Sequence, residues 1–421
     1  MPEESVPAIA APPLKRDNPF TRSIAGMIGM VFLGVMLATC LGSLPWTLGV
    51  PAGKQVPRYD EGTPSMGRLP PSWVTPTAVQ RVRLNQVVDA AVVEQIARDN
   101  SMTVMDAVAS TSGSVAEELK RHWPSYFLGT DVLGRSLLLR CLAGGGLSLG
   151  IGLAAALLSV LIGTVYGAIA GYAGGTTDAV MMRVVDVLYG LPYVLLVVLL
   201  AVAGDALINE YVARNKDRAR WVQVEAAAIA TQRGLTGDHA ARDLLEADGA
   251  MRKQLEERAA HALPAREMST AARRTLDVVT LLVAIGGLSW LTMSRVIRGQ
   301  VLSLKNQPFI EAARAVGVPV PRLFRKHLLP NLAGPIIVYS TLTVPQAMLQ
   351  ESFLSFLGIG VKPPLPSWGN LAADSLDQLN SYDSNWWLLL FPCLLLGSTL
   401  LALNFVGEGL REALDPKRAR R

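Results

Sequence analysis

Few residues in this chain have the types and spacing that reactive chemistry requires. No Gly-x-x-x-x-Gly-Lys-Ser/Thr loop is present to cradle a nucleotide's phosphates, and no His-Glu-x-x-His pair to hold a catalytic zinc. His122, His239, His261 and His327 are scattered, and no Ser and His constellation suits acyl transfer. Cys40, Cys141 and Cys393 lie far apart in or beside apolar runs, which implies no disulfide framework. Neither catalysis, a metal nor a cofactor is expected. The sequence offers instead isolated charge in apolar surroundings. Asp131 and Arg135 stand four residues apart, a spacing that pairs them on a short interfacial helix, and Arg183 stands one turn before Asp186. Asp277 occupies a position that suits a helix cap. Glu351 sits late in an apolar helix, either lining a gate or tied to a neighbouring span.

The densest cluster is residues 306–331, NQPFIEAARAVGVPVPRLFRKHLLPN, lying between two long apolar runs. Asn306 and Pro308 suit the start of a first short helix, Gly317 sits where a left-handed stop is wanted, and Pro321 suits the first turn of a second. Leu323, Phe324 and Leu328 share one face of that second helix and Arg322, Arg325 and Lys326 crowd another, with Pro330 expected to end it. The product is a rigid, exposed, partly basic elbow just outside a membrane. An interfacial amphipathic helix reaching for lipid headgroups is the plainer alternative.

The elements that must position these residues follow from composition. With 50% hydrophobic and 17% charged residues and a mean hydropathy of +0.32, the chain of 421 residues is too apolar for a soluble domain of its size. An all-α polytopic membrane protein of about six spans is expected. A net charge of +5, spread over loops and ends, gives no patch for nucleic acid. Residues 1–22 read as a cytoplasmic lead and 23–44 as a retained first span rather than a cleaved signal. Residues 45–128 read as an irregular, then helical, insert. Two spans fall within 129–204, the first rich in small residues (Gly150, Gly152, Ala154, Gly163, Gly167) and therefore expected at the centre of a bundle. Residues 205–275 form a second charged insert of two or three amphipathic helices, 276–408 hold three more spans and the elbow, and 409–421 a basic tail.

At the elbow the chain resembles the EAA loop of the integral-membrane subunits of bacterial ABC importers. Glu311, Ala312, Ala313, Gly317, Leu329 and Pro330 fall at that family's spacing, with His327 where the family often has Ile. Further signatures of the dipeptide and oligopeptide branch occur in family order. These are Gly129, Thr130, Asp131, Leu133, Gly134 and Arg135, with Ser136 in place of the usual Asp; then Gly171 to Pro192; then the string 351–370, ESFLSFLGIGVKPPLPSWGN, whose Trp368 suits a membrane interface. The resemblance covers roughly two-thirds of the chain. It implies a permease subunit of an ATP-driven importer of peptides or similar solutes. The same resemblance implies that the elbow docks on a cytoplasmic ATPase, that a second homologous permease subunit and two ATP-binding subunits complete the assembly, and that an extracytoplasmic solute-binding protein delivers the cargo.

Basic residues near span ends decide orientation. Lys15, Arg16 and Arg22, the elbow, and the tail Lys417, Arg418, Arg420 and Arg421 all fall on one side, which places both termini in the cytoplasm of a bacterial inner membrane and both inserts outside. A self-contained secondary transporter or channel is the rival; it predicts ionisable residues lining an ion path in mid-span, and the spans are nearly free of them apart from Glu351.

Overall fold

The computed structural model describes residues 24–235, 239–263, 270–379 and 384–414. The lead at 1–22 and the tail from Asp415 onward lie outside the described residues. Among those described, all regular structure is helical, and a single isolated bridge joins Thr130 to Ser136.

Helix α1 (Ile24–Thr47) is the first span. The first insert then folds α2 (Ala78–Val87), α3 (Ala90–Asp99), α4 (Val104–Ala109) and α5 (Ser114–Lys120) around a small core of Val88, Val93, Ile96, Ala97 and Leu119. Thr77 opens α2 with a reciprocal capping box to Gln80. Helix α6 (Leu137–Ala173) spans next, followed by α7 (Gly175–Tyr189) and α8 (Tyr193–Gln232), which meet at a bend of 86°. Pro192 explains that break, since it holds Leu191 out of the helical region. The second insert grows out of the same helix: α8 runs on past Ile208 and packs its Val222 and Ala226 against Leu255 and Ala259 of α10 (Gly249–Ala262), with α9 (Ala240–Ala247) between them in sequence. Helix α11 (Thr270–Lys305) returns through the membrane region. The elbow comprises α12 (Pro308–Ala315) and α13 (Val320–Leu323) and leads into α14 (Leu329–Phe356); α15 (Trp368–Leu376) and α16 (Trp387–Leu414) complete the chain. Five described helical segments are long and apolar enough to cross a bilayer, and the bent α7–α8 pair makes six, in agreement with the sequence.

The small-residue helix is central, as its composition predicts. Helix α6 packs against α1, α11 and α14, and its glycines set how closely they approach. A Cβ on Gly167 would strike the carbonyl oxygen of Ser294 in α11, and one on Gly145 would strike the Trp368 ring and the Cys40 sulfur. Trp368 is therefore not at an interface. It is fully buried in that notch, and its indole N–H donates to the Cys141 carbonyl at 3.0 Å.

The ionic expectations divide. Asp131 and Arg135 do pair, at 2.7 Å, but across a turn held by Gly129 and Gly134 at φ +81° and +76° rather than along a helix. Asp131 also receives the backbone N–H groups of Leu133 and Arg135 at 2.9 Å and the buried Arg140 at 2.6 Å, while Arg135 reaches Asp60 of the first insert at 2.7 Å. Burial pulls the Arg135 guanidinium down, but the carboxylates of Asp131 and Asp60 outweigh it and hold it above its ordinary value. Asp186 pairs with Arg295 of α11 at 2.8 Å, not with Arg183, because the α7–α11 approach brings a distant guanidinium within reach. Asp277 is no cap, since α11 begins at Thr270 and places it inside the helix.

Two outcomes are expected from this packing. Gly167→Ala should destabilise the purified protein by about 1–3 kcal/mol through backbone overpacking, whereas Gly150→Ala, which meets nothing within 4 Å, should be neutral or better. Asp131→Ala should cost about 3–5 kcal/mol by leaving the buried Arg140 with only the longer, 4.0 Å contact to the exposed Asp374. Thermal unfolding in detergent measures both.

Candidate functional site

The elbow is built by local rules. Pro308 occupies the first turn of α12, where its missing N–H costs nothing. The helix ends in a Schellman arrangement, with Gly317 at φ +78°, its N–H on the Arg314 carbonyl at 2.9 Å and the Val318 N–H on the Ala313 carbonyl at 3.1 Å. Pro319 and Pro321 then start α13. Pro330 does not end this second helix as the sequence suggests. A π turn at Phe324–Leu328, closed by the Leu329 N–H on the Phe324 carbonyl, joins α13 to α14, so Pro330 falls in the first turn of a continuing helix where no donor is needed.

Ile310, Leu323 and Leu328 are fully buried and give the elbow a core of its own, packed on Tyr172 at the end of α6 and Leu304 at the end of α11. Lys305 donates to the Gly171 carbonyl at 3.1 Å, and the Arg314 guanidinium lies 5.1 Å from the centre of the Tyr172 ring. The elbow is thus fixed to two spans at once. Glu311, Ala312 and Gly317 are exposed, as are Leu329 and Pro330 further on; Ala313 turns partly inward to support Val318. Around them stand the exposed apolar side chains of Phe309, Val316 (85% exposed) and Val320 and the exposed Arg322, Arg325 and Lys326. No basic side chain among the described residues pairs with Glu311. The elbow thus presents an outward carboxylate ringed by exposed apolar and basic groups.

Glu351 lies elsewhere, fully buried within the subunit. Ser355 and Ser352 donate to its carboxyl at 2.7 and 3.3 Å, and the Ser148 and Ser367 hydroxyls face the same group. Ser355 also receives the Val361 N–H at 3.0 Å, and Asn370 donates to the Val361 and Leu365 carbonyls. Glu351 therefore ties α14 to α6 and to the infolded loop 357–367.

One feature escaped the sequence. A cavity of about 650 Å³ opens between the α7–α8 bend, α11 and α14. Tyr193 spans it, donating to Gln350 at 2.8 Å and lying 3.2 Å from the Ser289 hydroxyl. Along α14 the lining residues Tyr339, Thr343, Gln346 and Gln350 fall at i, i+4, i+7 and i+11. That polar stripe inside an apolar run was the available signal.

The model of the family described as "Binding-protein-dependent transport system inner membrane component" matches residues 163–420, more than half of the chain. The chain belongs to this family. It is a membrane-spanning permease subunit of the ABC importer class. Named relatives agree. The oligopeptide transport system permease protein OppC of Haemophilus influenzae is 37% identical over 292 residues, 69% of this chain and 70% of its own length. OppC of Escherichia coli K12 is 38% identical over 292 residues, 69% of this chain and 72% of its own length. The dipeptide transport system permease protein DppC of Bacillus subtilis is 37% identical over 296 residues, 70% of this chain and 69% of its own length. The family match takes in the elbow, the cavity and Glu351 of this permease, and it begins after the first insert.

Leu323→Ala should remove about 2–5 kcal/mol from the elbow's core and expose it to proteolysis, while Val316→Ala, on the surface, should leave the cleavage rate unchanged. Limited proteolysis of the detergent-solubilised permease compares the two.

Proposed function

We propose that this permease forms one half of the translocation path of a peptide importer and takes its driving force from cytoplasmic ATPases through Glu311, Ala312, Ala313, Gly317, Leu329 and Pro330. The single observation that carries this reading is the elbow itself. It is a folded, outward-facing surface, anchored to the ends of α6 and α11 and continuous with α14, in a chain whose sequence has no phosphate-binding loop of its own. Relatives named as oligopeptide and dipeptide permeases support the cargo class.

In this reading two ATP-binding subunits close on nucleotide, push the elbows of this chain and of a second homologous permease, and rock the spans so that a central path opens to each side in turn. An extracytoplasmic solute-binding protein supplies the cargo. The elbow and both termini face the cytoplasm of a bacterial cell, the inserts at 45–128 and 205–275 face outward, and lipid surrounds the spans. Two carboxylates at the α7–α11 contact are paired, Asp178 with Arg298 at 2.6 Å and Asp186 with Arg295 at 2.8 Å, and Glu351 is enclosed by serine hydroxyls. Neutralised pairs and a carboxyl enclosed by hydroxyls differ from the file of titratable groups that an ion-driven carrier uses.

Glu311→Lys should weaken ATPase attachment about tenfold or more, since it inverts a charge-assisted contact. Gly317→Val, strained at a positive φ, should act in the same direction. Copurification of the ATPase subunits and peptide-stimulated ATP turnover provide the readout; retention of both in both variants would overturn the assignment.

A further inference from the structure

We propose that the cavity between the α7–α8 bend, α11 and α14 is the wall of the path that touches cargo, and that it reads the amide backbone of an extended peptide rather than side-chain charge. This rests on the permease reading above and assigns the residues of its path. The polar lining includes Tyr193, Ser289, Thr292, Thr343, Gln346 and Gln350, and none of the residues lining the cavity carries a formal charge. Arg295, near one mouth, is neutralised by Asp186 and stacked 4.1 Å from the centre of the Tyr189 ring.

Two observations point to a ligand. Gln346 and Thr292 are exposed in the middle of apolar spans, and among the described residues neither side chain has a hydrogen-bond partner. A polar group facing lipid in that state is costly, so water, a polar solute or a polar group of a second subunit must meet it. The second is spacing. At about 1.5 Å per residue, the stripe Tyr339, Thr343, Gln346, Gln350 places polar groups about 6, 4.5 and 6 Å apart over about 16 Å. An extended peptide presents same-facing amides every 6.4–6.8 Å or so, and about five residues cover the same length. Each glutamine amide offers both donor and acceptor, as a peptide group does. A volume of about 650 Å³ is ordinary for a small-molecule site. A dry seam against the second permease subunit is the competing use of this face.

The test uses the complete importer in liposomes, in a background carrying Cys393→Ser, because Cys40 and Cys141 are buried. Gln346→Cys and Thr292→Cys should react with a water-soluble cationic methanethiosulfonate about tenfold faster than Leu195→Cys, which lies exposed on α8 outside the cavity, and trialanine should slow them. Labelling no faster than at Leu195, or disulfide formation between the two permease subunits with no protection by trialanine, means a seam and overturns the proposal. Gln346→Glu should lower uptake of Ala-Glu-Ala about tenfold relative to Ala-Lys-Ala, by setting like charges together. An unmoved ratio overturns the path wall even while the unsubstituted complex shows ATP-driven uptake, in which case the permease reading stands. Absence of ATP-driven tripeptide uptake by the unsubstituted complex would instead remove the peptide reading, and labelling without protection would remove the wall with it.

Discussion

The contact on which everything else rests is the close approach of α6 to α11. Within a bilayer, helices gain little by hiding apolar surface, because lipid tails are as apolar as leucine; attraction comes from how many atoms can touch. Gly163 and Gly167 let α6 settle against the backbone of α11 around Met293 and Ser294, while Gly145 and Gly152 admit Trp368 and Met348 from the other side. The remaining spans are arranged around that axis, and the places where they fail to touch define the cavity at the α7–α8 bend.

The elbow inherits its precision from the same pair of helices. Its core closes on Tyr172 and Leu304, the last turns of α6 and α11, so its position is set by the spans rather than by the loop's own stiffness. The elbow's backbone is thus held by the ends of two packed spans, and the side chains of Glu311, Phe309, Val316 and Val320 project from that support.

What could be read from the sequence followed the range of the forces involved. Span number and the elbow's corner were legible because an apolar run of about twenty residues, a glycine at a left-handed position and a proline in a first turn act within a few neighbours. Partners set by packing were not. Asp186 finds Arg295 more than a hundred residues away instead of the nearby Arg183, and Trp368 looks interfacial by type yet fills a notch that exists only once Gly145 faces it. Pro330 reads as a stop by the ordinary rule, and only the widened turn before it lets the helix continue. The polar stripe of α14 is visible as a period in the letters, but which side of the helix is open depends on where α8 bends.

The π turn at Phe324–Leu328 has a mechanical side. From Val320 to Phe356 the chain is helical throughout, with the elbow at its start and Gln346 and Gln350 further along, beyond the interior Pro335 and Pro345. Elbow and glutamines are therefore joined by helix and not by a loop, and the places where that helix can flex are the π turn and the two prolines, where backbone hydrogen bonds are widened or missing.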